Sequence, residues 1–365
     1  MQFGLTEEQR LFDDSLRAFL ADRVPIEVLR QQAQMGSGFD PAIWQGLCEL
    51  GLPGLLVPES YGGAGLGVLD AALAAEALGH AAAAIPFAAS AVMAPLAFAN
   101  NASRDQQGEF LPRIATGEMR VGMAFAGIGG QTGEAAPRLQ RNRLSGRVRG
   151  ALDSGEATHF LVYLPDGRAA LVEAGATGSS AQVRRSVDRT RPVTDLAFDN
   201  TEAAVLDAAN DRMAAALRVL DAGRVMLAAD TLGAAQYMLD SAVAWAKERV
   251  QFGRVIGSFQ GVKHTLAEIV TMLEPCRAFV WHAAYAQDAL PDEARLFACQ
   301  VKAHVGDVGR EASRMATEVH GGMGFTDLLG LHYWFKRCTF DRQMLGSPER
   351  CREEAALLQG WKLAG

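Results

Sequence analysis

The sequence predicts a mainly α-helical protein with a β domain in its middle. Apolar residues recur at helical spacing up to about residue 115, and short segments with strand-like alternation follow up to about residue 205. Helical spacing then returns and persists. We therefore expect an N-terminal helical domain over 1–115, a middle β domain over 116–205 and a C-terminal helical domain over 206–365. The 365 residues are enough for two or three packed units.

The N-terminal domain is predicted from apolar residues at helical spacing, first among them Leu11, Phe12, Leu16, Phe19 and Leu20. A further run over Ala71–Leu78 is expected to end at Gly79, because Gly commonly follows the last helical residue. The most apolar stretch, from Ala81 to Ala99, is interrupted by Pro86 and Pro95. We expect a buried helix and loop there and no membrane span.

The middle domain is predicted from five short segments separated by Gly, Pro, Asp and Ser, namely VGMAFAG, RLSGRVRG, THFLVYLP, RAALVEA and VTDLAFD. Four long helical runs follow, at Asp211–Lys247, Gln260–Gln287, Asp292–Val319 and Glu349–Leu363. Runs of this length supply the facing apolar stripes that a helical bundle requires. No GxGxxG follows a predicted strand, so a Rossmann nucleotide domain is not expected.

Composition narrows the class of protein. The formal net charge is −7 and no basic stripe is visible, which argues against nucleic acid as a partner. The five cysteines are odd in number, scattered and without CxxC spacing, so they indicate reduced thiols of a cytoplasmic protein. No His or Cys spacing predicts a metal site. The start, MQFGLTEEQR, has neither the basic nor the apolar region of a signal peptide.

The segment from Arg249 to Gln260 places a cation, an aromatic ring, a glycine and an amide close together. Arg249 is expected to end one helix, Phe252 and Gly253 to form the break, and Gln260 to open the next helix. A guanidinium fixed beside a tight turn suits phosphate oxygens, which it binds bidentately. From the residues alone, an ordinary helix–turn–helix with a solvated arginine explains the segment equally well.

The same segment resembles the Arg-x-x-Phe-Gly…Gln segment of the acyl-CoA dehydrogenase family, and the resemblance extends over nearly the whole chain. Further motifs follow in the family's order: the opening at Leu5–Gln9, the turn Val57–Gly63, the strand entry Ser186–Arg191 and the glycine loop His320–Phe325. Ordered motifs at family-like spacing are a specific signal, whereas any one of them alone would be weak.

The resemblance implies an N-terminal helical domain, a β-barrel-like middle domain and a C-terminal four-helix bundle. It also implies FAD as cofactor and α,β-dehydrogenation of an acyl-CoA thioester, in which a carboxylate removes the α-proton and the flavin accepts the β-hydride. In the family the matching groups contact the FAD of a neighbouring subunit; here they are Arg249, Phe252, Gln260, Gly321, Gly322 and Gly324. A homo- or hetero-tetramer and an electron-transfer flavoprotein or similar acceptor are implied as well.

Both positions that carry the base in the family have lost it. The common position falls on Leu345 and the alternative one on Gly223, just before Arg224, and neither side chain can abstract a proton. Asp230 is a weak substitute, because it lies seven residues after Gly223, about 10 Å along the same helix. Asp221, Asp341 and Glu349 are weaker candidates still.

The flavin wall also departs from the family. Gly122–Gly127 stands where a Thr-Glu-Pro segment is usual, and Arg149–Leu152 stands where a Trp-Ile-Thr-like wall is usual. Backbone N–H groups could replace the lost side chains. In the glycine loop, Glu318 replaces a Gln near the expected FAD phosphates, which a carboxylate would repel unless a cation offsets it.

Three hypotheses remain open at this point. The chain is a self-sufficient FAD-dependent acyl-CoA dehydrogenase with a displaced base; or it is a catalytically deficient partner subunit of an α2β2 enzyme that completes another chain's FAD site; or it is a non-redox acyl-CoA-binding relative. The resemblance associates such mixed assemblies with bulky acyl-CoAs, so fatty acid or steroid side-chain catabolism is the expected setting. Function inferred from a fold resemblance is associational.

Overall fold

The computed structural model describes residues 4–128 and 136–361, and the predicted order of helices, strands and helices is confirmed. The N-terminal part contains the helices α1 Glu7–Arg23, α2 Ile26–Met35, α3 Pro41–Glu49, α4 Val68–Ala81, α5 Ala94–Asn101 and α6 Arg104–Ala115. Side-chain caps fix where several of them begin. Thr6 and Gln9 form a capping box at α1, and Ser103 and Gln106 form another at α6.

Helix α4 continues through Gly79, so the expectation that this glycine ends the helix was wrong. A Cβ on Gly79 would lie 2.0 Å from the carbonyl oxygen of Asp230, and a Cβ on Gly233 would lie 1.9 Å from that of Glu76. The two glycines therefore allow two helix backbones to pack in direct contact. The apolar stretch from Ala81 to Ala99 is buried over residues 82–95 and includes a π-helical turn at Ala88–Met93. Among the described residues, no helix is long and apolar enough to cross a membrane.

The middle part contains two four-stranded sheets. Its strands are β1 Val121–Phe125, β2 Arg138–Gln140, β3 Arg143–Ala151, β4 His159–Tyr163, β5 Ala169–Glu173, β6 Ser179–Arg184, β7 Val193–Glu202 and β8 Ala204–Leu206. One sheet has the order β1-β4-β5-β8, with β1 parallel to β4, and the other has the antiparallel order β2-β3-β7-β6. The inner faces share a core that includes Leu144, Val162 and Phe198.

The C-terminal part contains the long helices α7 Arg212–Glu248, α8 Gln260–Ala289 and α9 Pro291–His320, and the shorter α10 His332–Gln343 and α11 Pro348–Leu358. Asp211 caps α7 by accepting the Ala214 N–H. Helix α10 is absent from the predicted runs because it is highly charged, although its Arg337 and Asp341 are buried. The predicted last run ends at Leu363, which lies outside the described residues.

A short hairpin links α7 to α8. Its strands are β9 Val250–Gln251 and β10 Arg254–Val255, and Phe252 and Gly253 form the turn with φ of 54° and 77°. Two consecutive positive φ values are what a two-residue hairpin turn requires. Gly253 therefore serves a hairpin and not a helix terminus, because α7 already ends at Glu248.

The predicted division into three domains stays a prediction. The elements are consistent with it, because α6 ends at Ala115 and β1 begins at Val121, while β8 ends at Leu206 and α7 begins at Arg212.

Candidate functional site

Arg249 and the glycine loop lie on the same part of the surface, joined by Trp245. The Arg249 guanidinium lies 5.7 Å from the centre of the Trp245 ring, and His320 stacks on the same ring at 5.6 Å. Arg249 is exposed, and within the described part of the chain its side chain has no hydrogen bond or ion pair. A guanidinium oriented by an aromatic ring and without a carboxylate partner is available to an anion. Trp245 was not among the residues predicted from the sequence, although its position one helical turn before Arg249 could have indicated this contact.

The hairpin turn presents an aromatic ring to solvent. Phe252 is 93% exposed, and its ring meets that of Phe259 edge-on at 6.2 Å. The Arg254 guanidinium lies over the Phe259 ring, 3.9 Å from its centroid. Gln260 is exposed at the start of α8. An exposed Phe ring at a positive φ costs free energy in an isolated chain. The turn is therefore expected to contact another molecule.

The glycine loop is a 3₁₀ segment, Gly321–Phe325. Space is open around Gly321 and Gly322, whereas a Cβ on Gly324 would lie 2.6 Å from the carbonyl oxygen of Thr317. The first two glycines therefore leave the backbone accessible, and the third allows the loop to pack on α9. Glu318, the acid expected to repel phosphate, is ion-paired with Arg314. Arg314 also pairs with Glu311, so it offsets the charge of Glu318 only in part.

The two positions to which the resemblance assigns the base lie side by side in the structure. A Cβ on Gly223 would be 2.7 Å from Cδ1 of Leu345 and 2.7 Å from Sδ of Met93. Leu345 is buried and adopts a left-handed φ of 57°. Positions that are 122 residues apart in sequence thus converge on one apolar spot, as two alternative sites for one base would. No carboxylate is supplied by either.

Two buried cations fix the main chain around Leu345. The Nε of Arg224 donates to the carbonyl oxygen of Leu345 at 2.8 Å, and Nζ of Lys302 donates to those of Arg342 and Gly346 at 3.0 Å each. Burial lowers the pKa of Lys302 to about 8. Lys302 was missed at the sequence level, although a Lys on the apolar face of α9, between Ala298 and Val305, was its signal.

Asp230 is fully engaged in a buried ion cluster. Its Oδ1 accepts from Nε of Arg337 at 2.6 Å, and its Oδ2 accepts from Nη2 of Arg191 at 2.6 Å and of Arg337 at 3.0 Å. Burial acts to raise the pKa of Asp230, but the two arginines outweigh it and lower the pKa. A carboxylate held by two guanidinium groups is a poor proton acceptor, so this geometry speaks against Asp230 as the base.

The other three carboxylates are also paired. Asp341 accepts from Arg191 at 2.8 Å, and burial and Asp230 raise its pKa well above the ordinary value. Exposed Glu349 bonds to Arg342, and the hydrogen bond from Ser347 lowers the Glu349 pKa to about 2. The fourth, Asp221, pairs with Arg224 and Arg295 at 3.2 and 3.1 Å, and burial raises its pKa to about 6. None of them lies on the Gly223–Leu345 spot.

On its own side, the described part of the chain has four N–H groups of the expected flavin wall already engaged in hydrogen bonds. The N–H of Met123 donates to the Leu152 carbonyl at 3.0 Å, and the N–H of Leu152 donates back at 2.8 Å. The N–H of Gly150 donates to Oδ1 of Asp195, and that of Ala126 donates to the Tyr163 carbonyl. These four N–H groups are therefore not free to bond to a flavin, whereas Arg249 presents an exposed guanidinium that suits a phosphate.

A cleft of about 490 Å³ opens where the start of α7 meets the α8–α9 turn. Arg218, Asp221 and Arg295 line it, and Nε of Arg218 is buried without a hydrogen-bond partner. Two arginines and an unpaired donor suit a phosphorylated ligand. The cleft also borders the Arg224 cluster, because Asp221 belongs to both.

Two domain models of one family match the chain. "Acyl-CoA dehydrogenase, N-terminal domain" covers residues 6–118 and "Acyl-CoA dehydrogenase, C-terminal domain" covers residues 211–356. The chain is 29% identical over 344 residues to acyl-CoA dehydrogenase IpdE2 of Mycobacterium tuberculosis, which covers 94% of each chain.

Solved structures share the fold. A steroid ACAD variant, Tcur3481-Tcur3483, superposes with a TM-score of 0.86 at 28% identity and covers 97% of this chain and 98% of that one. The ChsE4-ChsE5 complex from Mycobacterium tuberculosis gives 0.87 at 25% identity over 100% of both chains. The butyryl-CoA dehydrogenase from Megasphaera elsdenii gives 0.89 at 22% identity, which shows the fold alone.

The family models, the full-length similarity to IpdE2 and the convergence of both base positions on one spot agree with one another, and this chain belongs to the acyl-CoA dehydrogenase family.

Proposed function

We propose that this chain is a subunit of an FAD-dependent acyl-CoA dehydrogenase that catalyses the α,β-dehydrogenation of an acyl-CoA thioester. The observation that carries the proposal is the exposed surface of Arg249, Trp245 and the Gly321–Gly324 loop, which offers an unpaired guanidinium and open backbone. Bound FAD would supply the hydride acceptor of the reaction. Arg249 would hold a phosphate, and Phe252 and Gln260 would contact the same cofactor.

The cleft beside α7 is the proposed site for the CoA portion of the substrate. Arg218 and Arg295 would face its phosphates, and the buried Nε of Arg218 has a free hydrogen to donate. From there the thioester would extend toward Gly223, Leu345 and Met93, which pack tightly against one another at a buried apolar spot. Arg224 and Lys302 would keep the Leu345 main chain in place while the substrate binds.

A specific observation favours a second form of this function, in which the chain is the partner subunit of a mixed α2β2 oligomer. The base positions Gly223 and Leu345 carry no proton acceptor, and the N–H groups of Met123 and Leu152, in the chain's own flavin wall, bond to each other's carbonyl oxygens. The groups lent to a neighbour's FAD remain free. A subunit can lose the base and the flavin wall of its own site and keep the groups that contact a neighbour's FAD when another chain supplies the base. The ChsE4-ChsE5 relative is itself a complex of two chains.

The test is anaerobic titration with a panel of acyl-CoAs, both straight-chain and steroid-derived, of the chain alone and of the chain co-expressed with its genomic neighbour. Bleaching of flavin absorbance with formation of the enoyl-CoA in either preparation supports dehydrogenation, and bleaching only in the co-expressed preparation supports the mixed oligomer. Acyl-CoA binding without bleaching in both would instead support the non-redox relative. An electron-transfer flavoprotein or similar acceptor would reoxidise the flavin, and the predicted cytoplasmic location stays a prediction.

A further inference from the structure

The strand β6 forms an open edge of the second sheet. It is last in the order β2-β3-β7-β6 and pairs only with β7. Five of its six residues are exposed. Unpaired N–H and C=O groups along such an edge are a template for a further strand.

The pairing pattern identifies which backbone groups are free. Asp199 N–H donates to the carbonyl oxygen of Gly178 at 2.8 Å, so Gly178 points its backbone toward β7. Along an antiparallel strand, the N–H and C=O groups of successive residues point alternately toward and away from the neighbouring strand. The backbone groups of Ser180, Gln182 and Arg184 therefore also point toward β7. The N–H and C=O groups of Ala181 and Val183 therefore point outward, and within the described residues they have no backbone partner.

The side chains of β6 differ between its two faces. Val183 lies opposite Thr194 and Ala181 lies opposite Leu196, both buried, so they extend the inner apolar face of the sheet beyond β7. Val183 nevertheless stays 58% exposed, because no strand lies beside it. The opposite face carries polar Ser180 and Gln182 and the cation Arg184. A strand added here would need apolar residues on one face and residues complementary to a cation on the other.

The outer face and rim of this sheet are basic in a chain whose net charge is −7. The cations there include Arg138, Arg141, Arg143, Arg147, Arg184 and Arg185, against the acids Asp195, Asp199 and Glu202. Arg184 pairs with Asp195 at 2.8 Å, but Arg147 and Arg185 have no ion pair in the described part of the chain. Such a field attracts an acidic partner. It also repels a second copy of the same edge, which excludes edge-to-edge pairing of this chain with itself.

We propose that β6 is the docking edge for an extended acidic segment of a partner protein, which adds as a strand beside Ala181 and Val183. Its main chain would pair with the outward N–H and C=O groups of these two residues. Its apolar side chains would cover Val183, and its carboxylates would lie on the face of Arg184. This surface lies in the β domain and is separate from the Arg249 surface and from the cleft beside α7.

The experiment is hydrogen–deuterium exchange of the full chain with a synthetic peptide, acetyl-Asp-Val-Glu-Val-Asp-Val-Glu-amide, which alternates acid and valine as this edge requires. We expect slower exchange of the 179–184 amides with the peptide, and loss of the effect in 0.5 M salt, because screening weakens exposed charge pairs. A control peptide with Lys in place of each acid should leave exchange unchanged. Equal protection by both peptides, or no protection by the acidic one at millimolar concentration, would overturn the proposal.

Two variants separate the backbone from the charge contribution. Val183→Pro removes an outward N–H without touching the bonds to β7, and Pro is tolerated at a sheet edge, so we expect at least a tenfold loss of peptide affinity. Arg184→Gln removes the cation of the face on which the peptide's carboxylates would lie, and it should also weaken binding while the sheet stays intact by circular dichroism. Undiminished binding by the Arg184→Gln variant would contradict the charge argument even if Val183→Pro failed to fold.

Discussion

Leu345 fills the space beside Gly223, with its Cδ1 2.7 Å from the point where a Cβ on residue 223 would stand. The resemblance assigns the family's base to these two positions, and the structure brings them together without a carboxylate. The surrounding frame is nevertheless complete, because Arg224 and Lys302 still hold the main chain of this segment. The main chain of the site is therefore preformed, but the site lacks a proton acceptor at these two positions.

Leu345→Glu should restore a base at this position. The carboxyl would lie among Gly223 and Met93, where burial raises its pKa toward neutrality, and the main-chain frame would orient it. We expect the FAD-loaded oligomer of this variant to exchange the α-protons of acyl-CoA with D2O faster than the wild-type by on the order of 10²-fold, followed by NMR. Leu345→Gln is the matched control, with the same shape and no base. Comparable exchange by the Gln variant would remove carboxylate catalysis from the explanation.

Arg249→Ala should weaken FAD retention in the assembled oligomer. A charge-assisted bond to a phosphate contributes about 1.5–3 kcal/mol, so we expect the dissociation constant of FAD to rise by on the order of 10- to 100-fold. The measurement is flavin content after extensive dialysis. Arg104→Ala, at the exposed start of α6, is the control for removing a surface arginine. Unchanged flavin content in the Arg249 variant would show that this guanidinium does not bind the cofactor.

Asparagine substitutions at the two aspartates of the buried ion cluster should lower the free energy of unfolding by very different amounts. Asp230→Asn leaves Arg191 and Arg337 with less compensating charge and should cost about 3–5 kcal/mol of unfolding free energy. Asp341→Asn resembles the protonated carboxyl that its raised pKa favours, so it should cost less unfolding free energy than Asp230→Asn. Urea unfolding of both variants measures the difference. An Asp341→Asn variant as unstable as Asp230→Asn would mean that Asp341 is ionised in the native protein.

The same cluster fixes the sign of a pH effect. The native pKa of Asp341 lies above the ordinary value of 3.8. Between pH 3.8 and that native pKa, the native state therefore binds more protons than the unfolded chain. The contribution of Asp341 to the unfolding free energy is therefore present at low pH and is lost as pH rises through its native pKa. Asp341→Asn should abolish that loss. Asp230 has a lowered pKa and acts in the opposite sense, losing its contribution as pH falls through its native value.

Lys302→Met should loosen the segment around Leu345. The substitution removes the donor to the carbonyl oxygens of Arg342 and Gly346, and unpaired buried carbonyls cost about 1–3 kcal/mol each. We expect faster hydrogen exchange of the 342–347 amides and a lower unfolding free energy. Lys263→Met, on an exposed face of α8, is the control. The wild-type should gain stability between pH 8 and the unfolded lysine pKa of 10.5, because the native pKa is about 8.

Hydrophobic periodicity was sufficient for the order of helices and strands, because long apolar stripes such as that of α7 need no tertiary information. It failed where tertiary contacts decide. Gly79 continues a helix because the Asp230 backbone packs against it, and the charged α10 is helical because Arg337 and Asp341 find buried partners. Likewise, the pairing of Asp230 with two arginines from distant segments could not be predicted from local spacing, and it is this pairing that speaks against a base there.

The most direct test is a visible absorption spectrum of the chain purified alone, loaded with FAD and desalted, beside one of the chain co-expressed with its genomic neighbour. The mixed-oligomer form of the proposed function predicts a colourless lone chain, because the Met123, Ala126, Gly150 and Leu152 N–H groups of its own flavin wall are already bonded. It predicts a flavin spectrum in the co-expressed oligomer, because the Arg249 surface would complete the site. A lone chain that retains flavin and is bleached by an acyl-CoA would contradict this form and would support a self-sufficient dehydrogenase.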